Sequence, residues 1–190
     1  KRIMINSIAP HWDGNQVWLL TAGGAMFAAW PVVYATSFSG FYIAMILVLA
    51  ALFFRPVGLE YRAKIDNPKW RTAWDWGLFL SGFVPSLVFG VAFGNLLQGV
   101  PFEFNDILQV KYTGSFFGLL NPFALLCGLI SLSMLTTQGA AWLQMKTTAE
   151  LRDRARVITQ VGAFATIITF ILAGVWLLFK DGYVVTSVID

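Results

Sequence analysis

The stretch VWLLTAGGAMFAAWPVVYATSF, residues 17–38, contains no Asp, Glu, Lys or Arg and decides the class of fold. An α-helix rises about 1.5 Å per residue, so about 20 predominantly apolar residues cross the hydrocarbon core of a membrane. Residues 17–38 are long enough for one crossing. The stretch therefore predicts a membrane-spanning helix.

The composition of the chain also indicates a membrane protein. Of its 190 residues, 57% are hydrophobic and 12% are charged, whereas charged residues make up about 25% of a soluble domain. The net charge of +3 does not indicate a nucleic-acid partner, because the basic residues are grouped between apolar runs. The chain begins at Lys1 with no basic-then-apolar leader, so we expect no cleaved signal peptide and a piece of a longer chain.

Five uncharged runs divide the chain, and each can hold one helix. We predict an all-α, polytopic membrane protein that forms a single transmembrane helical domain over residues 1–190. The second predicted helix contains Arg55, whose long side chain can extend towards the membrane surface. A surface segment is expected at residues 112–120, before the Asn121-Pro122 pair that starts the fourth helix. The predicted helices cover residues 13–37, 40–60, 75–101, 121–146 and 155–180.

The distribution of Lys and Arg predicts the orientation of the chain. Cytoplasmic segments of membrane proteins are enriched in these residues. Eleven of the thirteen basic residues lie on one side of the predicted bundle, and Lys111 and Lys180 lie on the other. We therefore expect residue 1 on the cytoplasmic side.

A polar cluster opens the first predicted helix, in the sequence HWDGNQVW at residues 11–18. An ionisable residue at the edge of a span is a functional candidate, because charge near lipid persists where it faces water or a protein interior. Asp13 can exchange protons, and His11, Asn15 and Gln16 can order water beside it. These four residues predict a proton-entry site. The alternative is that Asp13 only caps the helix.

Two further charges border apolar runs on the same side of the predicted bundle. Arg55 lies near the end of the second predicted helix, and Asp75 opens the third. An ion pair between them would lower the cost of keeping both charges near lipid, so we predict a structural pair.

No metal or nucleotide site is predicted. Haem and metal sites normally need several ligands, and His11 is the only histidine in the chain. We expect His11 to make hydrogen bonds at the membrane surface. The sequence has no phosphate-binding glycine loop, no Ser/His/Asp or Cys/His constellation and no CxxC pair.

Five motifs together resemble the second subunit of cytochrome bd-type quinol oxidases. The motifs are HWDGNQVW at 11–18, FFRPVG at 53–58, WDWG at 74–77, GVAFGNLLQGVPF at 90–102 and TQGA at 137–140. The resemblance extends over the whole chain. It implies a fragment that covers about the second to sixth helices of a subunit with eight or nine, without the family's first helix and its DGFDMG motif.

The resemblance implies a function in aerobic respiration, in a complex of the bacterial cytoplasmic (inner) membrane that oxidises quinol and reduces O2 to water. In that family haem b and haem d belong to subunit I, so no catalytic residue or metal ligand is expected in this chain. The family's proton-route acid matches Asp13, and Trp18 is a candidate for lining an apolar oxygen path. The resemblance further implies a structural quinone in some members, and it gives subunit I, quinol, O2 and membrane lipid as partners.

Two other functions remain as alternatives. A secondary transporter normally has a substrate site near the middle of the bilayer, with broken helices or buried charge, and the middle of each predicted span here is uncharged. A non-catalytic membrane scaffold would not need Asp13. The sequence alone does not separate a scaffold from a proton-conducting subunit.

Overall fold

The structure, a computed structural model, describes residues 2–105 and 110–179, and these residues are mostly helical. Within them, α3 to α6 are each long and apolar enough to cross a membrane, and α1 with α2 would make a fifth span if they are counted together. The prediction of an all-α, polytopic membrane protein is confirmed. The elements, in chain order, are α1 (Arg2–Ala29), α2 (Pro31–Gly40), α3 (Tyr42–Tyr61), α4 (Pro68–Gln98), β1 (Phe102–Phe104), β2 (Val110–Tyr112), a 3-10 turn (Phe117–Leu119), α5 (Pro122–Lys146) and α6 (Ala149–Leu178).

The first predicted span, residues 13–37, is broken in the structure. α1 ends at Ala29, α2 begins at Pro31, and the two helices are bent by 120°. Proline disfavours the helical conformation in the residue before it, and Trp30 indeed leaves that conformation with φ −136° and ψ 69°. A prediction based on uncharged runs misses this break because it takes no account of proline.

The other helix starts follow local sequence signals. The side chain of Asn67 accepts a hydrogen bond from the backbone two residues later (2.9 Å), and that of Asn121 accepts one from the backbone three residues later (2.8 Å). Proline follows each asparagine, as is common at a helix start. α4 and α6 begin before the predicted 75 and 155 because their charged first turns are also helical. The predicted helix end at residue 180 lies outside the described residues.

Helices α3 to α6 pack in chain order, each against the next. α4 and α5 approach each other closely, and a Cβ added at Gly90 would lie 2.4 Å from the carbonyl oxygen of Cys127. One added at Gly94 would lie 2.8 Å from Cα of Ala124. Small residues let helix backbones meet in this way, which is the main source of helix association in lipid.

Side-chain hydrogen bonds join α5 to α6. Thr166 Oγ1 donates to Ser133 Oγ at 3.0 Å, and the side-chain amide of Gln144 donates to Thr159 Oγ1. Hydrogen bonds of this kind between membrane helices contribute about 0.6 kcal/mol each on average. They supplement the backbone packing and do not replace it.

A pair of asparagines fixes the segment before α5. Asn95 Nδ2 donates to the carbonyl oxygens of Leu119 (2.7 Å) and Val91 (2.8 Å), and Asn121 Nδ2 donates to Asn95 Oδ1 (3.0 Å). Asn95 is only 5% exposed, so these bonds satisfy an amide that would otherwise be costly to bury. The 3-10 turn is thereby held against Phe41, at the junction of α2 and α3.

The hairpin β1–β2 lies at this same end of the bundle. The strands are antiparallel, with Phe102 opposite Tyr112. The Tyr112 ring packs on Gly40, where an added Cβ would come within 3.3 Å of it. Its hydroxyl donates to the carbonyl oxygen of Ser115 at 3.3 Å, and burial raises the pKa of this phenol. The expected surface segment at 112–120 is therefore the end of β2 and the 3-10 turn.

Candidate functional site

All four residues of the predicted proton-entry site lie in the interior of α1. The helix begins at Arg2 and contains Pro10, so Asp13 is about three turns past its start. A capping residue lies at the boundary of a helix, where backbone N–H groups have no partner within the helix. The alternative that Asp13 caps its helix is therefore wrong.

The four residues divide between two faces of α1. Successive residues of an α-helix are rotated by about 100°. His11 and Asn15 are thus about 40° apart and share one face, whereas Asp13 is about 160° from His11. Gln16 is about 60° from Asp13 and lies on its side of the helix. The structure therefore brings Asp13 together with Gln16 and separates both from His11.

The His11 face of α1 contacts α5. The rings of His11 and Trp142 meet edge to face with centroids 5.5 Å apart, and Trp142 Nε1 donates to the carbonyl oxygen of Ser7 at 3.3 Å. Lys146 Nζ lies over the same indole, 5.0 Å from the ring centroid. Trp142 is aligned with this face and gives His11 an aromatic contact; hydrogen bonding of His11 at the membrane surface stays a prediction.

Asp13 points away from that contact. Its side chain is exposed, as is that of Asn15, and Gln16 is half-buried. Within residues 2–105 and 110–179, the carboxylate of Asp13 has no hydrogen bond or ion pair to another described residue. A carboxylate in this position is accessible to whatever lies beyond the bundle: water, lipid headgroups or another protein.

The predicted ion pair between Arg55 and Asp75 is corrected by the structure. Asp75 accepts hydrogen bonds from Arg62, at 2.6 Å from Nε and 3.3 Å from Nη2. The pair raises the pKa of the Arg62 guanidinium, mainly through the hydrogen bond, against an opposing effect of burial. Arg55 instead donates from Nη2 to the carbonyl oxygen of Ser81 at 2.7 Å.

The register of α3 against α4 explains this change of partner. The two helices are antiparallel, so Arg62 at the end of α3 meets Asp75, and Arg55, about two turns deeper, meets Ser81. Our prediction began the helix at Asp75 itself. The Asn67-Pro68 pair is a helix start signal in the sequence. A prediction that begins α4 at this pair places Asp75 two turns inside the helix and opposite Arg62.

An apolar cavity lies between α4, α5 and α6. Its volume is about 500 Å³, and aromatic rings and the thiol of Cys127 form much of its wall. Trp18, the candidate for an oxygen path, does not line it. That indole lies on α1 and is 75% exposed. Phe89, Phe93, Phe123 and Phe170 supply the rings.

The described residues contain no group of three or more His, Cys, Asp or Glu side chains that could hold a metal ion. The ring of His11, the single histidine of the chain, contacts Trp142 edge to face.

Comparison with known proteins gives the family. The family model described as cytochrome bd terminal oxidase subunit II matches residues 1–189. The chain belongs to this family. It is 78% identical over 190 residues to the probable cytochrome oxidase subunit 2 of Haemophilus influenzae, and 65% identical over 191 residues to the cytochrome bd-I ubiquinol oxidase subunit 2 of Escherichia coli K12.

A more distant relative extends the same result. The cytochrome bd ubiquinol oxidase subunit 2 of Bacillus subtilis is 38% identical over 160 residues, which cover 84% of this chain and 46% of that protein. The matches to the Haemophilus and Escherichia proteins cover 100% of this chain and 50% of each relative. The chain thus spans about half the length of the curated relatives it matches.

Three of the five stretches that carry the resemblance have structural roles in the bundle. The stretch at 90–102 supplies both the α4–α5 contact and Asn95. In the stretch at 53–58, Gly58 meets α4, where an added Cβ would lie 2.9 Å from the Leu78 side chain. The stretch at 74–77 supplies Asp75 for the pair with Arg62. The motif on α1, at 11–18, is the one that the bundle itself does not bury.

Proposed function

We propose that this chain acts as subunit II of a cytochrome bd-type terminal oxidase, in a complex that oxidises quinol and reduces O2 to water. The observation that carries the proposal is the match of the subunit II family model to residues 1–189. The names of the relatives support it, since the Escherichia and Bacillus proteins are both called subunit 2 of a ubiquinol oxidase.

The haems of this complex, haem b and haem d, are assigned to the partner, subunit I. The single histidine of this chain and its packing against Trp142 support that assignment. The haems would supply electron transfer and oxygen reduction. This chain contributes helices that pack beside the haem-bearing subunit, and the apolar lining of its 500 Å³ cavity suits O2 or the tail of a structural quinone.

The membrane is proposed to be the bacterial cytoplasmic membrane, with the Arg62 end of the bundle towards the cytoplasm. Cations in the first turns of α4 and α6 lie at that end, among them Arg71 and Arg152. An excess of Lys and Arg marks cytoplasmic segments. Asp13 would then face the compartment from which protons are drawn.

Within this function, Asp13 serves proton uptake. Its carboxylate is exposed on a face of α1 that the bundle does not cover, and the Gln16 amide lies on the same side. A titratable group with a hydrogen-bonding neighbour can pass protons from bulk water to a partner protein. His11 and Asn15 lie on the opposite face of α1, where they contribute to the packing and hydration of this helix.

The test uses the complete oxidase with Asp13→Asn and Asp13→Glu. If Asp13 carries protons, the asparagine variant should lose about tenfold or more of its quinol oxidase rate, with normal haem spectra. The glutamate variant should recover part of that rate because it keeps a titratable group. Oxygen consumption and proton uptake measure both effects.

Asp153→Asn is the matched control, since Asp153 is an exposed acid on α6 at the same end of the bundle. A fully active Asp13→Asn enzyme would contradict proton uptake through Asp13 and leave α1 a scaffold. A complex that lacks this chain but keeps its haems and full turnover would contradict the wider proposal.

The break between α1 and α2 also suits a transporter. Broken helices often border transporter substrate sites. At Trp30 and Pro31, however, the break carries no charged side chain, and the indole of Trp30 is 64% exposed. The oxidase assignment is therefore favoured.

A further inference from the structure

Arg55 is a cation inside the apolar helix α3 without a carboxylate partner among the described residues. A guanidinium has five N–H donors, and the described residues accept from one of its nitrogens, Nη2, through the carbonyl oxygen of Ser81. The acid nearest in register, Asp75, is held by Arg62. Charged side chains within spans are rare, and those found pair with an opposite charge, a carbonyl or water.

Arg55 lines a cleft between α1, α3 and α4. The cleft has a volume of about 380 Å³. Among the residues that the structure describes, Arg55 is the only charged one that lines it, and most of the other lining side chains are apolar. Ile8, at its edge, is 45% exposed, so the cleft opens to the outside of the bundle. A ligand that fits such a space has one anionic group and an apolar body.

The position of Arg55 along α3 agrees with such a ligand. Arg55 is seven residues before Arg62, which is about 10 Å along the helix. Trp70 and Trp74 stack edge to face near the Arg62 end, with centroids 5.7 Å apart, and tryptophans of this kind mark the membrane surface. A long arginine side chain at that depth can extend towards the phosphate level of the lipids.

The volume and lining of the cleft favour a lipid over a small free anion. A small anion alone would leave most of 380 Å³ empty, whereas an acyl chain would fill the space along Ile5, Leu59 and Leu78. Basic pockets between membrane helices on the cytoplasmic side are known to take anionic lipid headgroups. The exposed Arg2 at the start of α1 adds positive potential at the same end.

We propose that this cleft binds an anionic phospholipid, with the phosphodiester on Arg55 and one acyl chain between α1 and α4. The bound lipid neutralises the cation and holds the first turns of α1 against the bundle. The site is separate from Asp13 and rests on the orientation of the chain given under the proposed function, but not on oxidase chemistry.

The experiment is native mass spectrometry of the complete oxidase, taken from nanodiscs of palmitoyl-oleoyl phosphatidylglycerol mixed with phosphatidylcholine. The unmodified complex should retain one more phosphatidylglycerol than Arg55→Gln does. Gly82→Leu should lose the same lipid, because Gly82 lines the cleft and a Cβ there meets no atom within 4 Å. This second variant fills the cleft and leaves Arg55 in place.

The matched controls are Arg71→Gln, which removes a surface cation paired with Asp66, and Gly139→Leu, whose added side chain also meets open space. Both should retain the lipid, and added inorganic phosphate should not displace it. Equal phosphatidylglycerol retention in Arg55→Gln and the unmodified complex would overturn the proposal. Displacement by phosphate alone would show a free-anion site, and a carboxylate of a neighbouring chain found on Arg55 would show a protein contact; either result contradicts the lipid.

Discussion

The bundle of α3 to α6 and the long helix α1 are packed very differently. α4 alone buries seven residues, including Gly90 and Asn95, whereas no residue of α1 is buried. A Cβ at Gly90 would collide with α5, but at Gly24 of α1 it would meet nothing within 4 Å. The bundle therefore has close helix contacts of its own. The helix that carries the candidate chemistry leaves its surface available to a partner.

Matched substitutions in the two regions test this difference, beginning with glycine. Gly90→Leu should prevent assembly of the oxidase, because the side chain would begin 2.4 Å from the backbone carbonyl of Cys127, which cannot move aside. Overpacking in a tight core costs about 1–3 kcal/mol or more. Yield of the intact complex and its thermal unfolding measure the effect.

Gly24→Leu is the control in α1 and should change the stability of subunit II itself by less than about 0.5 kcal/mol. If Gly24→Leu prevents assembly as Gly90→Leu does, then α1 is closely packed in the complex and the difference between the two regions exists only in the isolated chain.

The two membrane-edge aspartates give the second comparison. Asp75→Leu should destabilise the complex by about 2–3 kcal/mol, because Arg62 is left without its partner. The loss should be somewhat smaller than for a fully buried pair. The side chains of Arg62 and Asp75 are 14% and 20% exposed, respectively. Asp13→Asn should leave thermal stability almost unchanged. Equal losses for the two aspartates would remove the distinction.

A double-mutant cycle sharpens this second result. Asp75→Leu combined with Arg62→Met should cost less than the sum of the two single changes, since the partners share one interaction. Asp75→Leu combined with Arg55→Met should be close to additive, because Arg55 donates to Ser81 instead. Additive losses in the first cycle would show that Arg62 and Asp75 are not coupled.

Asparagines give the third and smallest comparison. Asn95→Ala should cost about 1–2 kcal/mol, since it leaves the Asn121 amide and the Leu119 carbonyl without a partner. Asn15→Ala, on exposed α1, should cost less than about 0.5 kcal/mol. Denaturation of the purified complex measures both, and a loss for Asn15 equal to that for Asn95 would place Asn15 in a buried contact.

The sequence predicted the four helices of the bundle well because each contains an apolar run bounded by charge. The prediction failed where a helix and an apolar run have different boundaries. α1 begins at Arg2, since helical structure needs no hydrophobicity, and it ends at Ala29 because of Pro31. Proline within a span is often tolerated, as Pro56 and Pro85 are in α3 and α4. The break therefore depends on packing around the proline as well.

The candidate site was harder to predict than the fold. Residue types near position 13 indicated the cluster, but four neighbours in sequence point in different directions on a helix, and only its boundaries reveal which ones share a face. The partner of Asp75 depends on the register between α3 and α4, which is set by where α4 begins. That register was recoverable from Asn67 and Pro68, whereas the contact of His11 with Trp142 had no signal in the sequence.

The hydrogen bond between Trp142 and Ser7 has a consequence for the order of assembly. The main contacts of α3 to α6 join consecutive helices, so each hairpin can form as soon as its second helix enters the membrane. The Ser7 contact instead joins positions 135 residues apart. Because synthesis proceeds from the N-terminus, α1 is made first and acquires this contact only after α5 has been made. The helix that carries Asp13 is therefore the earliest part of this segment to be synthesised and one of the last to be fixed in place.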